Sequence, residues 1–340
     1  MNLDQKIKDF GLVRYILMNG GKIAPLELYY ENNDILSSMN PSIYIDDNDI
    51  AYINIRAVNY NLFAVNTQEI TCDDQPTIYV GADQTKLITT NFFGTINLDT
   101  LEINNIYKVD TSNFDKEPQW DFIGLEDARI IKWNNNIYLC GVRRDVKSNG
   151  EGRMELSKIE FINNNWVEVE RTRMPCGNDN DDSYCEKNWM PVLNKEYTWV
   201  NNIREENNGK LLCKISNFDI NTQTTTNRFT KFISKNDPQS YYRGNSQVVQ
   251  YGDYYYCIVH FVYYEEYINR SRQAKYVSYI VKFDLDLNVI DVSDEFLFSN
   301  DFTIEFGCGL AIKNNIAYIT YSEDDSASYI IKFPANLLFN

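Results

Sequence analysis

NDIAYINIR (48–56), NNIYLCGVR (135–143), KEYTWVNNI (195–203), GDYYYCIVH (252–260) and NNIAYITYS (314–322) are five copies of one unit: a polar turn, then a strand rich in Ile, Tyr and Val. Their first residues lie 87, 60, 57 and 62 positions apart. Such periods suit one four-stranded blade per unit, longer than the roughly 40 to 50 residues of common propeller repeats. The fold expected is therefore all-β, a five-bladed β-propeller formed by residues 1–340 as one domain, with residues 1–35 as a short N-terminal helical extension. Helix is expected near residues 3–18, with a further helical turn around Leu36 to Met39. Elsewhere helical stripes are hard to find, and short β-branched and aromatic runs alternate with Asn, Asp and Gly turns.

Each copy is preceded by a polar motif: NPSI at Asn40, GLEDARI at Gly124, KNWMPV at Lys187, RGNSQVV at Arg243 and EFGCGLA at Glu305. If these are the loops entering each innermost strand, five stretches of sequence converge at one mouth of a central tunnel, where sites on closed β architectures form. Plain turns would need Gly, Asn and Asp, and do not account for Arg or Lys recurring beside carboxylates in apolar surroundings.

With 48 Asp and Glu against 32 Lys and Arg, the net charge is −16, the wrong sign for a broad nucleic-acid or membrane surface. A small phosphorylated ligand stays compatible, because close cations act within a Debye length of about 10 Å. No run of about 18 apolar residues marks a membrane span, and the first ten residues are too charged for a signal peptide, so a cytoplasmic protein is expected. The seven cysteines, from Cys72 to Cys308, lack CxxC spacing and read as small core residues in a reducing compartment. No metal site is expected. The acidic stretch GNDNDDSYCE (177–186) lacks the spacing of a calcium loop and reads as a mobile loop near the pocket mouth.

In order along the chain, NPSI and IRAVNY, GLEDARI, KNWMP, a strand ending in His260, and EFGCGLA with YITYSEDDS resemble glycoside hydrolase family 130 over roughly 40–328. The resemblance implies a five-bladed propeller acting on mannosides, as an inverting phosphorylase or hydrolase, with related propellers acting as mannosyltransferases. It implies Asp127 as general acid, and Arg56, an Arg of GVRRD and Lys187 on the phosphate side. Three departures favour a transferase using a nucleotide sugar: Ala128 stands where the family has Pro, VHF replaces a Tyr-His-Gly stretch, and RGNSQ is no phosphorylase hallmark.

Chemistry on a glycosidic bond requires a carboxyl that protonates the leaving oxygen, and the pair Glu126 and Asp127 in the apolar FIGLEDARII supplies candidates, unless they merely pair with Arg129. Phosphate as nucleophile needs no protein base, so cations matter more: Arg56, Arg143, Lys187 and Arg243 come from four repeats. Asn59, Arg129, Asn188 and His260 complete the expected binding set, with Trp189, Tyr242 and Tyr60 as sugar-stacking candidates. Glu305, Asp324 and Asp325 are second-carboxylate candidates for hydrolysis. The expected partner is an oligosaccharide or glycan, with inorganic phosphate or a nucleotide sugar as co-substrate and no bound cofactor; a non-catalytic glycan- or protein-binding propeller is the remaining alternative. Oligomeric state is left open.

Overall fold

The computed structural model describes residues 3–28, 35–61, 80–81, 86–176, 184–205, 211–232, 241–266, 272–299 and 304–339. Cys72 and positions 177–183 of the acidic stretch lie outside them.

The described chain is all-β apart from two short N-terminal helices, α1 (Gln5–Phe10) and α2 (Leu12–Met18), and one 3-10 turn. Asp4 caps α1, its carboxylate accepting from the Lys6 amide, and Gly11 at φ 82° breaks the two helices apart. The helical turn expected around Leu36 to Met39 is instead the start of the strand Ser37–Ile45, paired through Ser37 with Val58. Tertiary pairing overrides local preference here, because Met39 is buried and its neighbour Asn40 faces a polar interior.

The repeat turns form as their sequence dictates. Asn134–Asn135 and Asn314–Asn315 each hold both residues in the left-handed region, with φ of 48° and 64° and of 49° and 60°. That pairing suits the twist of two-residue hairpins, and Asn tolerates it better than any β-branched residue. After each turn a buried strand follows: Ala51–Val58, Asn136–Arg143 and Ile316–Glu323 are almost wholly buried.

Four-stranded sheets carry the second and fifth repeats. In the fifth, Lys22–Pro25 from the N-terminal region forms the outer edge, antiparallel to Ala327–Pro334. The first repeat lies in a five-stranded sheet that begins with Ser37–Ile45. The third and fourth repeats are joined in one nine-stranded sheet, because Thr198–Glu205 pairs with Tyr241–Gly244. The core is a series of seams between successive repeats. Phe93 packs with Leu125, Ile130 and Leu139, then Ile131 and Cys140 with Trp199 and Phe218, Ile203 with Val259 and Tyr279, and Ile258 with Leu310 and Ile319. A last seam brings Ile43 and Ile53 against Ala311 and Ile330. Five cysteines, Cys140, Cys176, Cys213, Cys257 and Cys308, are buried in the way their composition suggested.

A single amide ties four of the repeats together at the centre. The Gln247 Nε2 group donates toward Ser42 Oγ (2.9 Å), the Ile43 carbonyl (3.0 Å) and the Ile130 carbonyl (3.2 Å), and Oε1 accepts from the Leu310 amide (3.2 Å). Gln247 is fully buried, so those backbone groups have no access to solvent as a substitute. This is the role of Gln247 in the RGNSQ motif, whose Arg243 lines a central cavity.

Candidate active site

Three of the polar motifs are not loops entering the innermost strands, whereas residues 187–189 of KNWMPV form a loop that leads into the short strand Met190–Pro191. NPSI, GLEDARI and EFGCGLA lie within the strands Ser37–Ile45, Leu125–Trp133 and Glu305–Lys313, and each strand breaks register with its neighbour at the motif, between Met39 and Ser42, opposite Cys140 and Val142, and between Phe306 and Gly309. A bulge re-aims a side chain without ending the sheet. Asn40 (φ 48°) and Asp127 (φ 52°) sit at two of these bulges in the left-handed region, as does Asn188 (φ 63°) just before Met190. Opposite Asp127, Gly141 leaves room: a Cβ there would meet the Glu126 carbonyl at 2.3 Å.

The result is a cavity of about 160 Å³ lined by Arg56, Glu126, Asp127, Lys187, Asn188, Arg243 and His260, all expected from sequence, together with Asn40, Tyr60 and Asp325. Arg56 Nη1 donates to Asp127 Oδ1 at 2.6 Å, its Nη2 donates to the Tyr60 hydroxyl at 2.5 Å and stands 3.5 Å from Glu126 Oε2, and its Nε reaches Thr89 Oγ1 at 3.3 Å. Asn40 Nδ2 donates to the same Asp127 oxygen at 2.7 Å, while Asn40 Oδ1 accepts from Ser322 Oγ. Arg129 is completely buried beneath: it donates to the Asp127 carbonyl (2.6 Å) and the Asn245 carbonyl (2.7 Å), and so holds the strained backbone of the bulge rather than the carboxylate.

Burial alone would raise the Asp127 carboxyl, but Arg56, Arg129 and Lys187, with the Asn40 hydrogen bond, reverse this and hold it at about 2. Asp325 goes the other way. Burial, with Asp127 and Asp324 adding like charge against the pull of Arg56 and Lys187, pushes it up to about 7. Its backbone is fixed by Asp324, whose carboxylate accepts from the Ile304 amide at 3.1 Å. His260 is held neutral by burial and by the cations Arg243, Lys187 and Arg129. Its Nδ1 faces Asn245 Oδ1 and its ring stacks on Tyr276 at 4.8 Å.

Four cations line the cavity, and only Arg56 is matched by carboxylates. Among the described residues, Arg144, Lys187 and Arg243 have no carboxylate within ion-pair distance. Lys187 is enclosed by protein atoms yet open to solvent, as a side chain projecting into a cavity must be.

Several expectations are corrected. Arg143 does not reach this cavity; it pairs with Glu155 at 2.8 Å and Asp145 at 3.3 Å on the far side of its strand, and Arg144 lines the cavity instead, stacked 4.5 Å from the Phe122 ring. Successive side chains point to opposite faces of a strand, so of two adjacent arginines only one can enter. Glu305 is turned away, its oxygens accepting from the Phe298 and Ser299 amides at 2.6 and 2.7 Å. Asn59 fastens backbone, donating to the Lys86 carbonyl and accepting from the Ile88 amide. Trp189 and Tyr242 are core residues, packed on Trp199 and Tyr279, and of the three stacking candidates only Tyr60 lines the cavity. Sequence reading missed Phe122, Tyr276 and Phe306, and of the two arginines of GVRRD it named Arg143 where Arg144 lines the cavity.

No protein-family model matches the sequence, and no curated protein matches it. Solved structures do. A β-1,2-mannobiose phosphorylase from Listeria innocua, in complex with β-1,2-mannobiose, superposes with a TM-score of 0.53 at 9% identity over 92% of this chain and 94% of the other. This chain has a GH130-like fold. A structure reported for the GH130 family of mannoside phosphorylases, which contains hydrolases of β-1,2-mannosidic linkages in Candida mannan, matches at TM-score 0.56 and 11% identity over 93% and 94% of the two chains. A glycosyl hydrolase from Bacteroides ovatus matches at 0.54 and 11% over 88% and 84%. At such identities the GH130-like fold is what these chains share, and the site must be argued from this chain's own residues.

Proposed function

We propose that this chain is a five-bladed β-propeller, one domain closed by its N-terminal strand, and a carbohydrate-active enzyme of the inverting phosphorylase type. The cyclic order of the core seams, with the last returning to the first, supports the propeller. The observation that carries the activity is the set of unmatched cations, Arg144, Lys187 and Arg243, facing one cavity in a chain whose net charge is −16. Cations converging on one pocket repel one another unless an anion joins them. An inorganic phosphate there is already a charged nucleophile, so no carboxylate is needed to activate it.

Glu126 Oε1 is buried with no hydrogen-bond partner and His260 lines the same cavity, which places both to meet sugar hydroxyls. Tyr60 and Tyr276 offer ring faces. Asp127 donates the proton to the departing oxygen. Its low proton affinity in the empty cavity comes from Arg56, Arg129 and Lys187, and a bound phosphate dianion opposes those same cations, restoring the proton when the nucleophile is in place.

A second reading has its own support. Two carboxyls whose environments drive them apart, to about 2 for Asp127 and about 7 for Asp325, are the pattern of a base and an acid, which hydrolysis requires. Thermal stabilisation by phosphate, followed by turnover of mannosides with and without phosphate, separates the two. Phosphate stabilisation that disappears in a Lys187→Ala, Arg243→Ala double variant, with sugar 1-phosphate as product, supports the phosphorylase. Phosphate-independent release of free sugar supports the hydrolase, a preference for nucleotide sugars supports a transferase, and the absence of any response would sink all three.

Asp325 also gives the site a pH dependence that a non-titrating anion can report. Sulfate keeps its charge through the neutral range, and its affinity is expected to fall about ten-fold as pH rises through 7, because ionised Asp325 adds a negative charge a few ångströms away. Asp325→Asn should remove the dependence, and titration calorimetry across that range checks it. For stability the sign is the same: the folded carboxyl holds its proton to about 7 and the unfolded one only to about 4, so this group's contribution, complete below 4, is lost as pH climbs through 7.

A further inference from the structure

A second cavity, of about 500 Å³, lies between the first and second repeats and shares no lining residue with the central one. The two flank one stretch of backbone. Phe122, Glu126 and Arg144 face the central cavity, while Ile123, Leu125, Arg143 and Asp145 face the other. Its size falls inside the range of about 300 to 1,000 Å³ usual for small-molecule sites, which the central cavity does not reach.

The lining of this side cavity is unlike the apolar seams elsewhere. Its floor is a chain of buried charges in which Arg143 donates to Glu155 Oε2 (2.8 Å) and Arg173 donates to Glu155 Oε1 (3.1 Å). Asp145 accepts from Arg143 (3.3 Å) and from the Gly124 amide (2.9 Å). Each of these floor charges is matched within the wall, while Lys108, Lys116 and Glu117 stand exposed at the rim with both signs represented, so the floor itself does not call for an ion. Apolar surface from Leu125, Leu139 and Phe114 alternates with the hydroxyls of Thr90, Thr111 and Ser157. Paired polar groups beside apolar patches suit a ligand that is neutral, rich in hydroxyls and apolar on its ring faces.

We infer that the side cavity is a second binding site, for a neutral saccharide, coupled to the central cavity through the wall they share. Two contacts make the coupling. Thr89 lines the side cavity, and its Oγ1 accepts from Arg56 Nε in the central one. Gly124, at φ 100° with no space for a Cβ, is held by Asp145 and leads directly into Glu126 and Asp127. A saccharide hydroxyl competing for Thr89 or Asp145 therefore acts on the residues that hold Asp127. This inference goes beyond the proposed reaction; only the expectation of a second saccharide in the central cavity rests on that reading.

The test is saccharide stoichiometry by calorimetry and protein-observed NMR, with mannobiose as probe in an Asp127→Asn background that prevents turnover. Two mannobiose molecules per chain are expected. Ser157→Trp, filling the side cavity from the second repeat, should remove one and, because the wall is shared, shift the other's affinity by about three-fold or more, a shift within about two-fold overturning the coupling; Thr90→Trp fills it from the opposite wall if the first variant fails to fold. A single event abolished by either filling supports the side site while counting against saccharide binding in the centre. A single event that survives both fillings but is lost in Arg56→Ala, or two events unchanged by filling, overturns the inference and leaves the cavity to water.

Discussion

Asp127→Asn is expected to lower kcat by about 1,000-fold, the scale on which a positioned general acid contributes, while tightening phosphate rather than weakening it. The second half of that expectation is the diagnostic one. Asp127 now neutralises Arg56 through a 2.6 Å contact, and the amide would leave Arg56 free to join Arg144, Lys187 and Arg243 around the anion. Isotopic exchange or product release measures the first effect, and calorimetric titration with phosphate the second. A variant that loses phosphate affinity together with turnover would mean that Asp127 organises the pocket rather than acts on substrate. The fold should survive the change, because Asn40 Nδ2 and Arg56 can each bond the remaining amide oxygen.

The largest effect on stability is expected from Arg129→Ala. This guanidinium is wholly buried, donates to the Asp127 and Asn245 carbonyls, and lies 5.7 Å from the Phe306 ring centre. Removing it strands two carbonyls, empties space under the bulge and frees Asp127 from the hold that keeps it at φ 52°. Each buried acceptor left unmade costs about 1 to 3 kcal/mol, so a loss of about 3 kcal/mol or more is expected. Urea unfolding should show the midpoint fall with an unchanged slope. An unchanged midpoint would mean that the bulge is held by its sheet pairing alone.

The resemblance seen in the motifs placed Asp127 with Arg56 and Lys187, and the cavity assembles these three. It is less informative about partners. From sequence, Glu126 and Asp127 could have paired with Arg129; the structure gives the Asp127 carboxylate, at a bulge with φ 52°, to Arg56 and its carbonyl to Arg129.

What the sequence determined by itself is local. Asn-Asn pairs select left-handed two-residue turns, buried Ile, Tyr and Val runs select strands, and their spacing at near-regular intervals selects a repeating all-β chain. What only the tertiary structure decided is direction. Whether Arg143 or Arg144 enters the central cavity, whether Glu305 faces ligand or backbone, and whether Asp127 or Asp325 holds a proton near neutrality depend on bulges that re-aim strands and on charges brought together from distant repeats. Sequence proximity sets neither. A one-residue shift in a strand turns a side chain to the opposite face, and the proton affinity of a buried carboxyl is set by neighbours that no local pattern names.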